Sequence, residues 1–229
     1  MTMYNENGQK RPLTSWETAR FFIVGLLFNA VGNGLTVATN MGSAPWTASA
    51  ANLSNATGWS ISLFLFSYGF IAAILSCLLL KAIDWPRVLG NLTFLLAFSV
   101  IIGLVSSFFT AHGVGQLPML WRLIIDIIAI ILVGCGVSIT QRLQFILHPL
   151  DDLTNLTRFM FFNGNAGIAQ IVNFAIPMVI SFAMWAITGS IVAVNIGTLV
   201  SFFFQGLVIS IADQRVIGHL DHKLSLANQ

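Results

Sequence analysis

Long apolar runs alternate along this chain with short polar breaks, and the order of the breaks repeats. Six runs are long enough to cross a bilayer, over residues 18–41, 59–82, 88–111, 119–146, 165–187 and 192–214. A spanning helix needs about 20 residues. Barrel strands would alternate lipid-facing and lumen-facing side chains over short segments, and these runs do not. The pattern predicts an all-α, polytopic membrane protein of six transmembrane helices. In the first half, Gly32, Thr36 and Asn40 lead into Gly42-Ser43-Ala44-Pro45-Trp46, and a short amphipathic stretch follows. In the second half, Gly136, Thr140 and Gln144, each 104 residues further on, lead into Leu147-His148-Pro149-Leu150. A second short stretch follows there, over 151–159. Each half then gives two more spans, and the last opens with Leu89-Gly90-Asn91-Leu92 or Ile196-Gly197-Thr198-Leu199.

Three spans per half is an odd number, so the second copy must lie upside down relative to the first. The expected architecture is two inverted three-helix repeats, about 18–111 and 119–214, with Pro-broken or re-entrant segments. They form one membrane domain over 1–229 with polar cytoplasmic tails at 1–15 and 215–229. Paired breaks in inverted repeats point to a transporter with its site at the breaks. The plainer reading makes both breaks interfacial loops that lead to helices lying on the membrane surface. The sequence leaves the two open.

Charge sets the orientation. Lys10, Arg11, Arg20, Lys81, Arg87, Arg142, Arg158, Arg215 and Lys223 fall on one side of a six-span chain, and Arg122 alone on the other. The positive-inside rule then puts both termini in the cytoplasm. Composition agrees on the medium. Hydrophobic residues are 56% of the chain and charged residues 8%, whereas a soluble domain carries about 25% charged residues. The net charge of +2 says nothing of nucleic acid. The first apolar run is too long for a cleaved signal peptide and is expected to stay as an anchor.

Gly42-Ser43-Ala44-Pro45-Trp46-Thr47, Thr57-Gly58-Trp59-Ser60-Ile61 and Trp85-Pro86-Arg87-Val88-Leu89-Gly90-Asn91 together resemble the YczE/YyaS/YitT-like family of bacterial membrane proteins. Ile196-Gly197-Thr198-Leu199 followed by Gln205-Gly206 is similar to that family's glycine pattern in its last span. The resemblance runs from about Phe21 to Asp213 and implies an integral protein of the bacterial plasma membrane with about six spans. An acidic residue commonly stands two places after the proline in that family. Asp151 after Pro149 fits and Thr47 after Pro45 departs.

Ionisable groups inside a membrane are costly and mark candidate sites. Asp126 lies deepest, one turn from Arg122, and the two can pair at i, i+4. Its functional reading is an ion-coupling carboxylate. Asp151 and Asp152 with His148 form a second cluster. As a pair at the break the two carboxylates suit proton coupling. As residues of a first helical turn they suit the helix dipole. A single His beside two adjacent Asp is a weak metal pattern, so no metal or cofactor is expected. Asn33, Asn40, Pro45, Trp46, Thr140, His148 and Pro149 are the candidate substrate contacts, because they lie on or lead into the breaks. Asn29, Gln170, Asn173 and Gln205 read as interhelical hydrogen-bond formers.

No P-loop, GxSxG or HExxH is present, which argues against nucleotide hydrolysis and against an enzyme. The expected function is a small-solute transporter or permease of unknown substrate. A substrate-binding membrane subunit of a multi-component transporter, and a regulatory or assembly protein, are the alternatives. The expected partners are the lipid bilayer and an unknown small solute, with a homo-oligomer left open.

Overall fold

A helix that is apolar all round belongs in lipid or in a large core, and six helices here have that character. They are α1 (Ser15–Thr39), α3 (Ile61–Leu80), α4 (Trp85–Ala111), α5 (Met119–Leu143), α7 (Ala166–Thr188) and α8 (Ile196–Arg215). Each is long and apolar enough to span, and large side chains such as Leu78, Leu96, Leu104 and Val179 stand outward on them. The chain is an integral, multi-pass membrane protein. Two shorter helices of 13 residues each, α2 (Pro45–Thr57) and α6 (Pro149–Phe161), follow the breaks. The computed structural model describes residues 3–6 and 9–222.

The breaks are built alike. α1 and α5 each end on a residue in the left-handed region, Asn40 with φ 53° and Gln144 with φ 47°. Such a residue closes a helix by turning its amide back onto the last carbonyls. Then α2 and α6 start on Pro45 and Pro149. Proline suits a first helical turn because its missing N–H would go unbonded there anyway. The same rule moves one boundary. The third span, expected from residue 88, instead opens at Trp85-Pro86 as α4. Asp84 caps that helix and accepts from the Arg87 amide at 3.2 Å.

α1 and α5 cross at the centre. Gly32 lies against the backbone of Ala129 and Val133, and Gly136 lies against the backbone of Gly25 and Asn29. A shift of 104 residues carries Gly25, Asn29 and Gly32 onto Ala129, Val133 and Gly136, so the two contacts correspond. Small residues at a crossing let backbones approach closely, which is the main route to helix association in lipid. Around this pair, α4 packs on α1 and α8 on α5, while α2 packs on α7 and α6 on α3. Each break is pinned by the last helix of the other half. Thr198 Oγ1 donates to the Ser43 carbonyl at 2.8 Å, and the Leu147 amide donates to Asn91 Oδ1 at 3.0 Å. The halves differ in one respect: α7 and α8 pack together, whereas α3 and α4 scarcely touch.

The described parts of the tails carry pairing that polar composition does not suggest. β1 (Met3–Glu6) pairs antiparallel with β2 (Gln9–Pro12), and Tyr4 bridges to Leu220. Both tails therefore share one face, called here the terminal face. Arg142, expected as an interfacial anchor, is fully buried beneath them. Its guanidinium donates to the carbonyls of Val216 at 2.5 Å and Ile217 at 2.8 Å, closing the free end of α8. Lys223, counted among the orienting cations, lies outside the described residues.

Candidate functional site

A cavity of about 570 Å³ lies at the centre, walled by residues of all eight helices. That is the size range of small-molecule sites. The α1 wall carries Asn29, Asn33 and Thr36, which recur at three- and four-residue spacing and so share a face. Asn33 donates to Asn29 Oδ1 at 2.8 Å, and Asn29 reaches across to Asp151 Oδ2 at 3.4 Å. Proline at the start of α6 sets Asp151 in the first turn, from where it faces α1 rather than the helix's own amides. His148 supplies the cap instead: its Nδ1 accepts from the Leu150 amide at 3.3 Å. The imidazole stands edge-on to Phe94 and Phe98.

Asp126 enters from α5 near the other break. It is 1% exposed. Thr39 donates to its Oδ1 at 3.0 Å, and its Oδ2 has no hydrogen-bond partner. Gly197 lies against that oxygen, leaving room that a side chain would fill. Arg122 does not pair with it as the spacing predicted. The guanidinium donates to the Thr39 carbonyl at 3.4 Å instead, so both residues converge on Thr39. Trp46, from α2, donates through its indole to Asn173 Oδ1 at 2.7 Å, and Asn173 donates to Thr154 of α6. Two side-chain links thus join the segments that follow the two breaks.

Of the expected contacts, Asn33, Trp46, His148, Asp126 and Asp151 line the cavity. The others are elsewhere. Asn40 is an exposed helix end, and its left-handed backbone is its contribution. Thr140 is buried and donates back to the carbonyls of Gly136 and Val137, each at 3.1 Å. This is the usual fate of a threonine inside a helix. Pro45 and Pro149 are buried starters of α2 and α6 and do not line the chamber. Asp152 points away from it, into an ion pair with Arg87 supported by Asn91 Nδ2 at 2.8 Å, and so ties α6 to α4.

Several lining residues were not among the expected contacts. Thr47, Ser99 and Ser201 supply hydroxyls, and Phe66, Phe98 and Phe174 supply aromatic surface. Gln170 and Gln205, read as bond formers between helices, instead line the cavity with Oε1 and Nε2 unpartnered. The mouth is one-sided. The exposed lining residues are Val37, Ser62, Phe66, Leu96, Ser99 and Gly103, all from α1, α3 and α4. The lining residues of α7 and α8 are all buried.

A second polar centre lies under the terminal face. Asp213 accepts from Ser138 at 2.6 Å, Arg158 at 2.7 Å and His222 at 3.1 Å. Burial pulls the His222 imidazole below its usual pKa, against the pull of the Asp213 carboxylate. This centre joins α5, α6 and α8 and is closed off from the cavity lining.

Comparison with known proteins bears on kinship. No solved structure matches the chain. The uncharacterized protein YyaS of Bacillus subtilis (strain 168) is 27% identical over 139 residues, which is 60% of this chain and 67% of that protein. The YyaS-like kinship read from the Gly42–Thr47 and Trp85–Asn91 motifs is thereby supported. A family model described as a family of unknown function, DUF6198, matches residues 16–214, and the chain belongs to that family.

Proposed function

We propose that the protein is a small-solute transporter of the bacterial plasma membrane, with both termini in the cytoplasm and its solute site in the central cavity. The observation that carries this reading is the cavity's make-up. It is walled by both halves, and the segments at both breaks, Gly42–Thr47 and His148–Asp151, reach it. Discontinuous segments meeting at a central site are the transporter pattern.

The halves are read as inverted repeats. Three sets of corresponding contacts support this. The glycine crossing of α1 and α5 repeats under one shift of the numbering. The packing of α4 on α1 corresponds to that of α8 on α5, and the packing of α2 on α7 to that of α6 on α3. Ser49 bonds Tyr68 as Thr154 bonds Asn173, each pair 19 residues apart.

The test is accessibility from both sides. Cys77 and Cys135 are free and are first replaced by serine. Single cysteines are then placed at Thr47 and Ser201 on the cavity wall. A membrane-impermeant thiol reagent should modify each in right-side-out and in inverted vesicles, because the chamber must open to both faces in turn. Modification from one face alone, under every condition, refutes transport.

A further inference from the structure

We propose that the cavity takes an organic cation with an apolar body, admitted sideways from the bilayer between α3 and α4. This rests on the reading of the cavity as a solute site. The charge of the wall is the first argument. Asp126 and Asp151 line it, and no Lys or Arg lines it among the described residues. Arg87 is engaged with Asp152 and Arg158 with Asp213, while Arg122 donates to the Thr39 carbonyl through Nη1, keeps its Nε unpartnered and stands off the lining. A buried carboxylate without a cationic partner is costly, and a ligand cation removes that cost.

Unmet acceptors are the second argument. Asp126 Oδ2 and Gln170 Oε1 have no partner, and their residues are 1% and 4% exposed. Among the described lining residues Gln205 Nε2 is the one buried unpartnered donor. The walls between are aromatic, with Trp46, Phe66, Phe98 and Phe174. Aromatic faces attract cations, most strongly where water is excluded.

The mouth is the third argument. Its exposed rim, described above, belongs to helices whose outer faces meet lipid. A hydrated inorganic ion gains nothing by that route, whereas an amphiphilic solute already resides there. Thr39 and Asn29, which hold the two carboxylates, are ten residues apart on α1, or about 15 Å along the axis. The carboxylates are therefore two stations for one cation and not a shared metal site.

The experiment uses the full chain in lipid nanodiscs and radiolabelled tetraphenylphosphonium. The competitors are tetraphenylborate, of like shape and opposite charge, and uncharged tetraphenylsilane. Saturable binding of the cation is expected, with neither competitor displacing it. Asp126→Asn and Asp151→Asn should each weaken binding about tenfold or more, as loss of a charge-assisted contact does. Both variants should keep the wild-type unfolding midpoint within a few degrees, which separates lost binding from lost fold. Gly103→Trp provides a readout independent of the carboxylates. Gly103 is exposed and an added Cβ there meets nothing within 4 Å, so the fold should tolerate the change, while association at the mouth should slow several-fold at unchanged capacity. Binding of the borate or the silane as tight as the cation overturns the proposal and leaves the solute site standing. So does the absence of saturable cation binding in a protein whose cavity cysteines react from both faces. One-sided cysteine reactivity with intact cation binding refutes transport alone.

Discussion

Gly136→Ala probes the centre of the molecule with one methyl group. A Cβ at this position meets the Asn29 amide nitrogen, and the Gly25 carbonyl at 2.6 Å. Both are backbone atoms, so no side chain can swing aside. Ordinary contact needs 3.4–4 Å, and α1 and α5 must part by roughly 1 Å to regain it. Overpacking of this kind costs about 1–3 kcal/mol. The crossing also carries Asn29, whose bond to Asp151 is already 3.4 Å long and is lost when the helices separate. Against this stands a helix-propensity gain of up to about 1 kcal/mol for replacing glycine. The net expectation is about 2 kcal/mol of lost stability, roughly thirtyfold in the folded-to-unfolded ratio. Reversible unfolding in mixed micelles, followed by tryptophan fluorescence, measures it. Gly32→Ala should cost a similar amount, since its Cβ meets the Ala129 carbonyl at 2.6 Å and the Val133 amide at 2.9 Å. Gly103→Ala, with nothing within 4 Å of the added carbon, should lie within about 0.5 kcal/mol of the wild type. A Gly136→Ala protein as stable as the Gly103→Ala control would refute the close crossing.

Asp152→Asn should lower stability by about 3 kcal/mol, because it strands Arg87 in a half-buried site; tetraphenylphosphonium binding should be unchanged, and a large loss of binding would return Asp152 to the site. Arg142→Lys should cost about 2 kcal/mol and expose the segment after Arg215 to limited proteolysis, since an ammonium cannot reproduce the fork that serves several carbonyls at once; wild-type protease resistance would show that the cap is dispensable. Cysteines at Gly115 and Gly189 should react with an impermeant reagent on intact cells and one at Asp84 should not; the opposite pattern at Asp84 would reverse the topology.

Much of the fold was legible because lipid demands it. A helix in hydrocarbon must be apolar and about as long as the bilayer is thick, so Ile61–Leu80 and Ala166–Thr188 could be read within two residues. The starts of α2 and α6 were legible because proline has few other places to stand. The pairing of Met3–Glu6 with Gln9–Pro12 was not legible. Polar tails are simply expected to be unstructured. The site was half legible. Spacing placed Asn33, Trp46, His148 and Asp151 near the breaks, and charge within a span marked Asp126, but neither says which way a side chain turns. Asp151 and Asp152 are neighbours in sequence, yet a helix sends adjacent residues about 100° apart, one to the cavity and one to Arg87. A signal for α8 was present: Gly197, Ser201, Gln205 and Ile209 recur every fourth residue and line the chamber together. Arg142 looked like an anchor because nothing in its own segment reveals that the end of α8 folds back over it.

The unequal packing of α3 with α4 and of α7 with α8 has an energetic consequence for a transporter built this way. Exchanging the two arrangements between the halves describes a second state, with α7 parted from α8 and the chamber turned to the terminal face. Like halves would make the two states equal in energy if their sequences were equal. They are not. The terminal face is fastened by the ion pairs Arg87–Asp152 and Arg158–Asp213. The opposite face is fastened by neutral bonds, such as Asn52 with Val192 and Thr198 with Ser43. An offset of about 3 kcal/mol from those ion pairs would hold the second state near 1% of the population. In such a transporter the bias would be set far from the cavity, at charges that a single reversal at Asp213 would move.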